Sequence, residues 1–361
     1  MCIGSLKQHN IQRCLLWVFA VLFFSSCSKA KYYEVKGLAQ GTYYRVVYED
    51  TKMRKAEFDS ILTKFDTTFS IYIKESIISR INNNDTSVRI NSQFRYFFEQ
   101  SQRISAMTDG LFDITVGPLV NIWRFGPETI EQKIEQSCTS INMDTLSKTD
   151  ANKSMLPNQT QIDSILNFVG MDKIHLEGNK CVKDDPRVQI TGNANAQGYS
   201  SDLIARYLDS LGVKNYLVDV GSEMRVKGKN PKGKCWKIGI TRPEEGVDNL
   251  PVEMQSSISI VLDNKSLATS GNYRKFFYEN GKKYAHTVNP HTGQSIPTDL
   301  LSITVVAEEC IDADAIATAC MAMGVEKSKE FLKAHPEFDA LLIFADGNDL
   351  ATYKTSGIIQ Q

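Results

Sequence analysis

Ser302-Ile303-Thr304-Val305-Val306-Ala307 and, five residues later, Asp312-Ala313-Asp314-Ala315-Ile316-Ala317-Thr318 form the stretch from which the rest of the chain is read. The first run is rich in β-branched residues and reads as a strand. The second is rich in alanine and reads as a helix. On that helix Asp314 and Thr318 stand four apart and share one face. A carboxylate and a hydroxyl with room for backbone carbonyls make a small hard-oxygen pocket, the ligand class that suits Mg2+. Upstream, Tyr284-Ala285-His286-Thr287-Val288-Asn289-Pro290 supplies an imidazole, which can take a proton near neutrality.

Working outward, further strand-like stretches are Tyr43 to Tyr48, Tyr216 to Val220, Trp236 to Ile240, Ser257 to Leu262 and Ala340 to Phe344. Helical periodicity runs through Phe58, Ile61, Leu62, Phe65 and Phe69. It recurs in Phe94, Phe97, Phe98 and Ile104, a run stopped by Asp109-Gly110, and in Leu203, Tyr207, Leu208 and Leu211, closed by Gly212. These phenylalanine stripes are core. Strands and helices mix without a regular βαβ beat, and no Gly-x-Gly-x-x-Gly follows a strand, which disfavours a doubly wound nucleotide fold. The expected class is α+β, with mixed, largely antiparallel sheets and packed helices in a single domain over 34–361. Within it, residues 127–158 are polar and read as a loop insertion.

The N-terminus reads as an export signal. Lys7 and Arg13 precede the apolar run Leu15 to Phe24, and Ser25-Ser26-Cys27 follows, similar to a bacterial lipobox. Cleavage after residue 26 would leave Cys27 as a lipid-bearing first residue on a short tether, 27–33. The expected location is the bacterial cell envelope, facing the periplasm. Removing 1–26 takes away Lys7 and Arg13 and no acid, so the formal charge moves from -1 to -3. Lysines and acids are interspersed without a basic stripe, which argues against nucleic acid. Of eight cysteines, Cys138, Cys181, Cys235, Cys310 and Cys320 remain after Cys2, Cys14 and Cys27. Their odd number and the lack of a CxxC pair favour buried free thiols over disulfides or zinc.

Taken in order, the uncommon polar and glycine positions are Gln40-Gly41-Thr42-Tyr43, Ser70-Ile71-Tyr72 with Ser76 to Asn82, and the run from Thr108-Asp109-Gly110 through Gly117-Pro118 to Trp123-Arg124-Phe125-Gly126. Then come Asn193 to Tyr199, Val218 to Glu223, Ala268 to Arg274, the His286 motif, Asn289-Pro290-His291-Thr292-Gly293 and the Asp314 helix. This ordered set resembles the ApbE-type FAD:protein FMN transferases along almost the whole exported chain. The resemblance implies an enzyme that binds FAD as substrate, uses Mg2+ to break its pyrophosphate, passes FMN to a threonine hydroxyl of an acceptor protein of a membrane redox complex, and releases AMP.

By the same resemblance the metal falls to the side chains of Asp314 and Thr318 and the carbonyls of Ala194 and Ala317. The flavin falls to Trp123, Arg124 and Phe125 with Gln40, Thr191, Gln197 and Val288; Ser270 and Arg274 fall near the phosphates, and His286 is the base. An FAD pyrophosphatase yielding FMN and AMP, or an FAD-storing lipoprotein, are the competing readings. The chain departs from the family at Thr191, where an Asp is common, at Gly192 and Asn195, where apolar residues are common, and at Ser222, which replaces the middle glycine of a Gly-Gly-Glu turn. That last exchange is mild if residue 222 does not need positive φ. The acceptor pattern of the family is roughly Asp-x-x-Ser/Thr-Gly-Ala-Thr. Asp263-Asn264-Lys265-Ser266-Leu267-Ala268-Thr269 approaches it and is read as coincidence.

Overall fold

The computed structural model describes residues 30–126, 156–243, 257–272, 276–279, 282–296, 299–347 and 349–360. In chain order the first half holds β1 (Lys31–Ala39), β2 (Thr42–Asp50), α1 (Lys55–Phe69), α2 (Ile77–Asn82), α3 (Ser92–Met107), α4 (Gly117–Ile122), α5 (Gln159–Leu166), β3 (Ile174–Glu177) and β4 (Lys180–Lys183). The second half holds α6 (Ala196–Ser210), β5 (Tyr216–Val220), β6 (Glu223–Lys227), β7 (Trp236–Thr241), β8 (Ser257–Leu262), β9 (Ser266–Gly271), β10 (Phe276–Glu279) and β11 (Lys282–Ala285). It ends with β12 (Leu300–Ala307), α7 (Cys310–Met323), α8 (Val325–Ala334), β13 (Asp339–Asp346) and β14 (Asp349–Lys354).

Eight strands form one sheet in the order β1-β2-β5-β6-β9-β12-β13-β14, every neighbouring pair antiparallel. The α+β expectation holds. Helix α7 lies across β9 and β12, and α6 lies across β5 and β6 and against α7. The larger core fills the space around α7: Phe65, Phe69, Phe94, Phe97 and Phe98 of α1 and α3 meet Ile303 and Val305 of β12 and Ala313 and Ala317 of α7. Alanines on α7 let it sit close to the sheet while the phenylalanines supply the buried area. The opposite face of the sheet is covered by the β7–β8 hairpin, whose Trp236, Ile238, Ile240 and Ile260 pack on Val47, Leu217 and Val226. With both faces covered, all five residues of β5 are buried, Asp219 along with its apolar neighbours, so Tyr216 to Val220 shows no alternation of buried and exposed positions.

The helix stops expected at Asp109-Gly110 and Gly212 are where α3 and α6 end. Asn91 caps α3 by accepting from Phe94 N at 2.8 Å, and Asp109 and Gly110 leave the helix with φ of +50° and +73°. Gly212, at φ +75°, closes α6. One reading needs correction. Residues Lys31 to Tyr33 of the expected tether pair with Tyr48 to Asp50 in β1, because Tyr32 and Tyr33 pack beside the sheet cores. Of the polar segment 127–158, residues 127–155 lie outside the described residues; 156–158 are irregular and lead to α5, which Asn158 caps with a reciprocal bond to Gln161. Among the described residues Cys181, Cys235, Cys310 and Cys320 are free thiols, and no helix is long and apolar enough to cross a membrane.

Candidate active site

The residues singled out in the sequence fall into two groups, one where α6 packs on α7 and one among the rings around His286. The first is a corner between α6 and α7. Asp314 is only 8% exposed, and its Oδ2 accepts from Gly198 N at 3.0 Å. Burial drives its pKa upward, opposed by that N–H and reinforced by Asp202. One turn further along α7, Thr318 Oγ1 donates to Ala194 O at 3.2 Å, across 124 residues of sequence. Ala194 stands in a tight turn in which Asn195 N and Ala196 N both donate to Gly192 O, at 3.2 and 2.8 Å.

Ala317 is buried on the same helix, and its carbonyl keeps a second lone pair beyond any helical bond. The donor set is therefore all oxygen, one carboxylate with a hydroxyl and carbonyls, and it fits Mg2+. Among the described residues no three His, Cys, Asp or Glu side chains stand together as a transition metal would require.

Gln40 and Gln197 border this corner. Gln40 and Gly41 form the β1–β2 turn with φ of +54° and +72°, and Gln40 Oε1 accepts from Ser200 Oγ at 3.3 Å while its Nε2 is buried with no partner among the described residues. Gln197, in the first turn of α6, presses on Gly221: a Cβ there would fall 2.8 Å from Gln197 Nε2. The next residue, Ser222, has φ +88°, so the exchange of glycine for serine is not mild; serine holds a conformation that glycine adopts without strain.

The second group is aromatic. Trp123, at the end of α4, is 3% exposed; its Nε1 donates to Gly293 O at 2.8 Å and its ring stacks on Tyr284 at 5.6 Å. It packs with Leu119, Ile162, Val169 and Val288, so both Trp123 and Val288 serve as core that fixes the 286–296 loop. Phe125 is half-buried, edge-on to the His286 ring at 6.2 Å and 5.5 Å from Phe277. Arg124 is exposed at φ +63°. Asn272 Oδ1 accepts from Thr287 Oγ1 at 2.8 Å, tying the residue after His286 to the end of β9. Ser270 lies in that strand opposite Ile303, half-buried. Arg274 and Cys27 lie outside the described residues.

Thr191 is buried, its hydroxyl accepting from Asn193 N at 3.3 Å, and it lines an open cleft of about 200 Å³ with Ser79, Asn82, Asn121 and Gln189. The other two departures lie beside it, and buried Asn195 leaves its Oδ1 without a partner among the described residues. A Cβ on Gly192 would already touch Ala196 Cβ at 3.1 Å, and Asn195 donates from Nδ2 to Ser101 Oγ at 3.0 Å. Thr269, the last residue of the acceptor-like stretch, sits inside the sheet with its hydroxyl 2.9 Å from that of Thr304. Sequence reading missed Gly198, Asp202 and Asn272 as parts of the site; their partners lie on other elements, and only the spacing of four between Gly198 and Asp202 on α6 hinted at a shared face.

The sequence profile of the ApbE family matches residues 40–342. The chain belongs to the ApbE family of FAD:protein FMN transferases. Its relatives include the FAD:protein FMN transferase of Haemophilus influenzae, 32% identical over 95% of both chains, and that of Vibrio cholerae, 30% identical over 95% of this chain and 96% of the relative. Among solved structures, the flavin transferase ApbE of Vibrio cholerae superposes with a TM-score of 0.74 at 30% identity, covering 91% of this chain and 98% of the other. The apo form of the Pseudomonas stutzeri flavinyl transferase ApbE gives 0.74 at 26%, covering 92% and 96%. The family match spans the corner of Asp314 and Thr318 as well as the His286 loop.

Proposed function

We propose that this chain, a flavin transferase by family, uses Asp314, Thr318 and the carbonyls of Ala194 and Ala317 to hold Mg2+, and His286 to move the proton. One observation carries the reading: Thr318 Oγ1 lies 3.2 Å from Ala194 O, one helical turn beyond the buried Asp314. When bound, the metal would supply charge neutralisation on the diphosphate of FAD. His286 accepts the proton of an acceptor threonine hydroxyl. The oxygen of that threonine bonds to the FMN phosphorus, the pyrophosphate bond breaks, and AMP leaves with the bridging oxygen. Phe125 sets the edge of the His286 ring, and the bond from Trp123 to Gly293 holds the loop that carries it. Gln40, Gln197, Thr191, Ser270, Arg124 and Arg274 are the remaining FAD contacts in this proposal.

The acceptor in this reading is a membrane redox protein bearing the Asp-x-x-Ser/Thr-Gly-Ala-Thr pattern, and the enzyme faces it from a lipid anchor at Cys27 on the periplasmic side of the cell envelope. The basic residues Lys7 and Arg13, the apolar run and Ser25-Ser26-Cys27 support that placement. The test incubates the full chain with FAD and Mg2+, with and without an acceptor domain, and follows AMP and covalent flavin. Transfer predicts both products only with acceptor; AMP without covalent flavin would make the protein a pyrophosphatase, and neither product with tight FAD binding would make it a storage protein. Cys27→Ser is expected to move the protein from the membrane to the soluble fraction.

A further inference from the structure

The corner between α6 and α7 contains a second set of bonds that the proton and metal chemistry does not use. Asp202 stands one turn beyond Gly198 on α6, and the two residues grip α7 in opposite senses. Gly198 donates its N–H to Asp314 Oδ2 at 3.0 Å, whereas Asp202 accepts from the first two amides of α7, Cys310 N on Oδ1 at 3.0 Å and Ile311 N on Oδ2 at 2.9 Å. Amides at a helix start have no partner inside the helix, and Glu309, at the N-cap, makes no side-chain capping bond. Asp202 therefore caps α7 from a neighbouring helix.

Its carboxylate is 0% exposed and is matched by Arg225 of β6, whose Nη1 lies 2.7 Å from Oδ1 and 3.8 Å from Glu309. Glu309 is held in turn by Arg206 at 2.7 Å. Two amides and a guanidinium occupy the Asp202 carboxylate, and it is assigned to holding α7 rather than to the metal. The two helices touch backbone to backbone, since a Cβ on Gly198 would lie 2.4 Å from Cys310 O and 2.9 Å from Asp314 Cβ. Asp314 and Thr318 ride on α7 while Ala194 sits just before α6. The slide of one helix on the other thus sets whether those oxygens converge, and misplacement by about 1 Å can cost on the order of 100-fold in rate.

We propose that Asp202 is a positioning residue for flavin transfer: neutralised by Arg225, it pins the start of α7 to α6 and so sets the spacing of the oxygens of Asp314, Thr318 and Ala194. This rests on the reading that those oxygens hold Mg2+. The test uses the full chain and Mn2+ as probe, titrated without FAD and followed through the EPR signal of the free ion, together with the Mg2+ concentration that gives half-maximal transfer. Asp202→Asn keeps the size and one acceptor oxygen but turns an N–H toward the second amide and removes the charge facing Arg225.

The expected result is a rise of about tenfold or more in the Mn2+ Kd and in the Mg2+ half-maximum, with the KM for FAD little changed. Arg225→Lys should move both in the same direction by less. If both quantities stay at their wild-type values in Asp202→Asn, whatever happens to its melting temperature, Asp202 is only a structural cap and the proposal falls. Should that variant not fold, unchanged values in Arg225→Lys overturn it. Asp314→Ala separates the two readings: unaltered cation dependence there removes the metal assignment and this inference with it, whereas lost dependence there beside an unaltered Asp202→Asn removes this inference alone.

Discussion

The two sides of the site are made in different ways. The α6–α7 corner is held by directional bonds: a carboxylate on two helix amides, a glycine N–H on Asp314, a threonine hydroxyl on a carbonyl. The His286 side adds ring packing, Trp123 on Tyr284, Phe277 on Tyr284, and Phe125 against both Phe277 and His286, to the bonds that anchor its loop at Gly293 and Thr287. Buried polar bonds are costly to leave half made and so fix one geometry. Aromatic contacts are broad in angle and distance, and they suit a surface that must accept a flat ring and a protein partner in turn. The comparison teaches that the α6–α7 corner, the proposed Mg2+ site, should fail abruptly under substitution, while the aromatic side should fail by rate with binding kept.

The largest effect is expected at the corner. Asp314→Ala should bring Mg2+-dependent AMP release to background, a loss of at least about 1,000-fold, because a metal's charge stabilisation is worth several kcal/mol. Chelation of the wild type should match it, and undiminished turnover in either case would take Asp314 out of the site. Next comes His286→Asn, which should cut covalent flavin by about 100- to 10,000-fold while FAD titrates as in the wild type. Parallel loss of affinity and rate would make His286 a binding residue and erase the contrast between the sides.

Smaller effects concern stability. Asp113, which accepts from Thr115 N and Oγ1 at 2.6 Å, is pushed by burial up to about 6, and Asp219, which accepts from Ser222 N at 3.0 Å, is likewise pushed to about 6. Because the folded state keeps these protons where the unfolded chain has released them, their contribution is fully present below pH 4 and is lost as pH rises through 6, by up to about 3 kcal/mol for each. Urea midpoints across pH 4 to 7 should therefore show a shallower decline for Asp113→Asn than for the wild type; an unchanged slope would mean that Asp113 is ionised in the fold throughout. Last, Ser222→Gly should raise stability by about 0.5–1 kcal/mol by relieving the φ of +88°, and a lower thermal midpoint would show that serine makes a compensating contact.

Much of the fold was legible because each signal is local. Tyr216 to Val220 and Ser257 to Leu262 carry their strand character in β-branched and aromatic residues, and Gly110 and Gly212 mark helix ends by their own backbone chemistry. Elements such as β6, β9 and β14 were not legible. Glu223 to Lys227 is a strand because it lies between β5 and β9, and Ser266 to Gly271 because β12 lies beside it; neither has strong propensity of its own.

The same division runs through the site. Sequence alone determined that Asp314 and Thr318 share a helix face and that His286 stands in an ordered motif, since helical spacing and residue chemistry need no partner to be read. Only the tertiary structure decided that Ala194 meets Thr318, that Trp123 is spent on the loop rather than left open, that Ser222 is strained, and that Asp202 caps the helix bearing Asp314. Those are contacts between residues distant in the chain, and they form only once the alanine face of α7 has been driven onto the sheet by burial of the phenylalanine core.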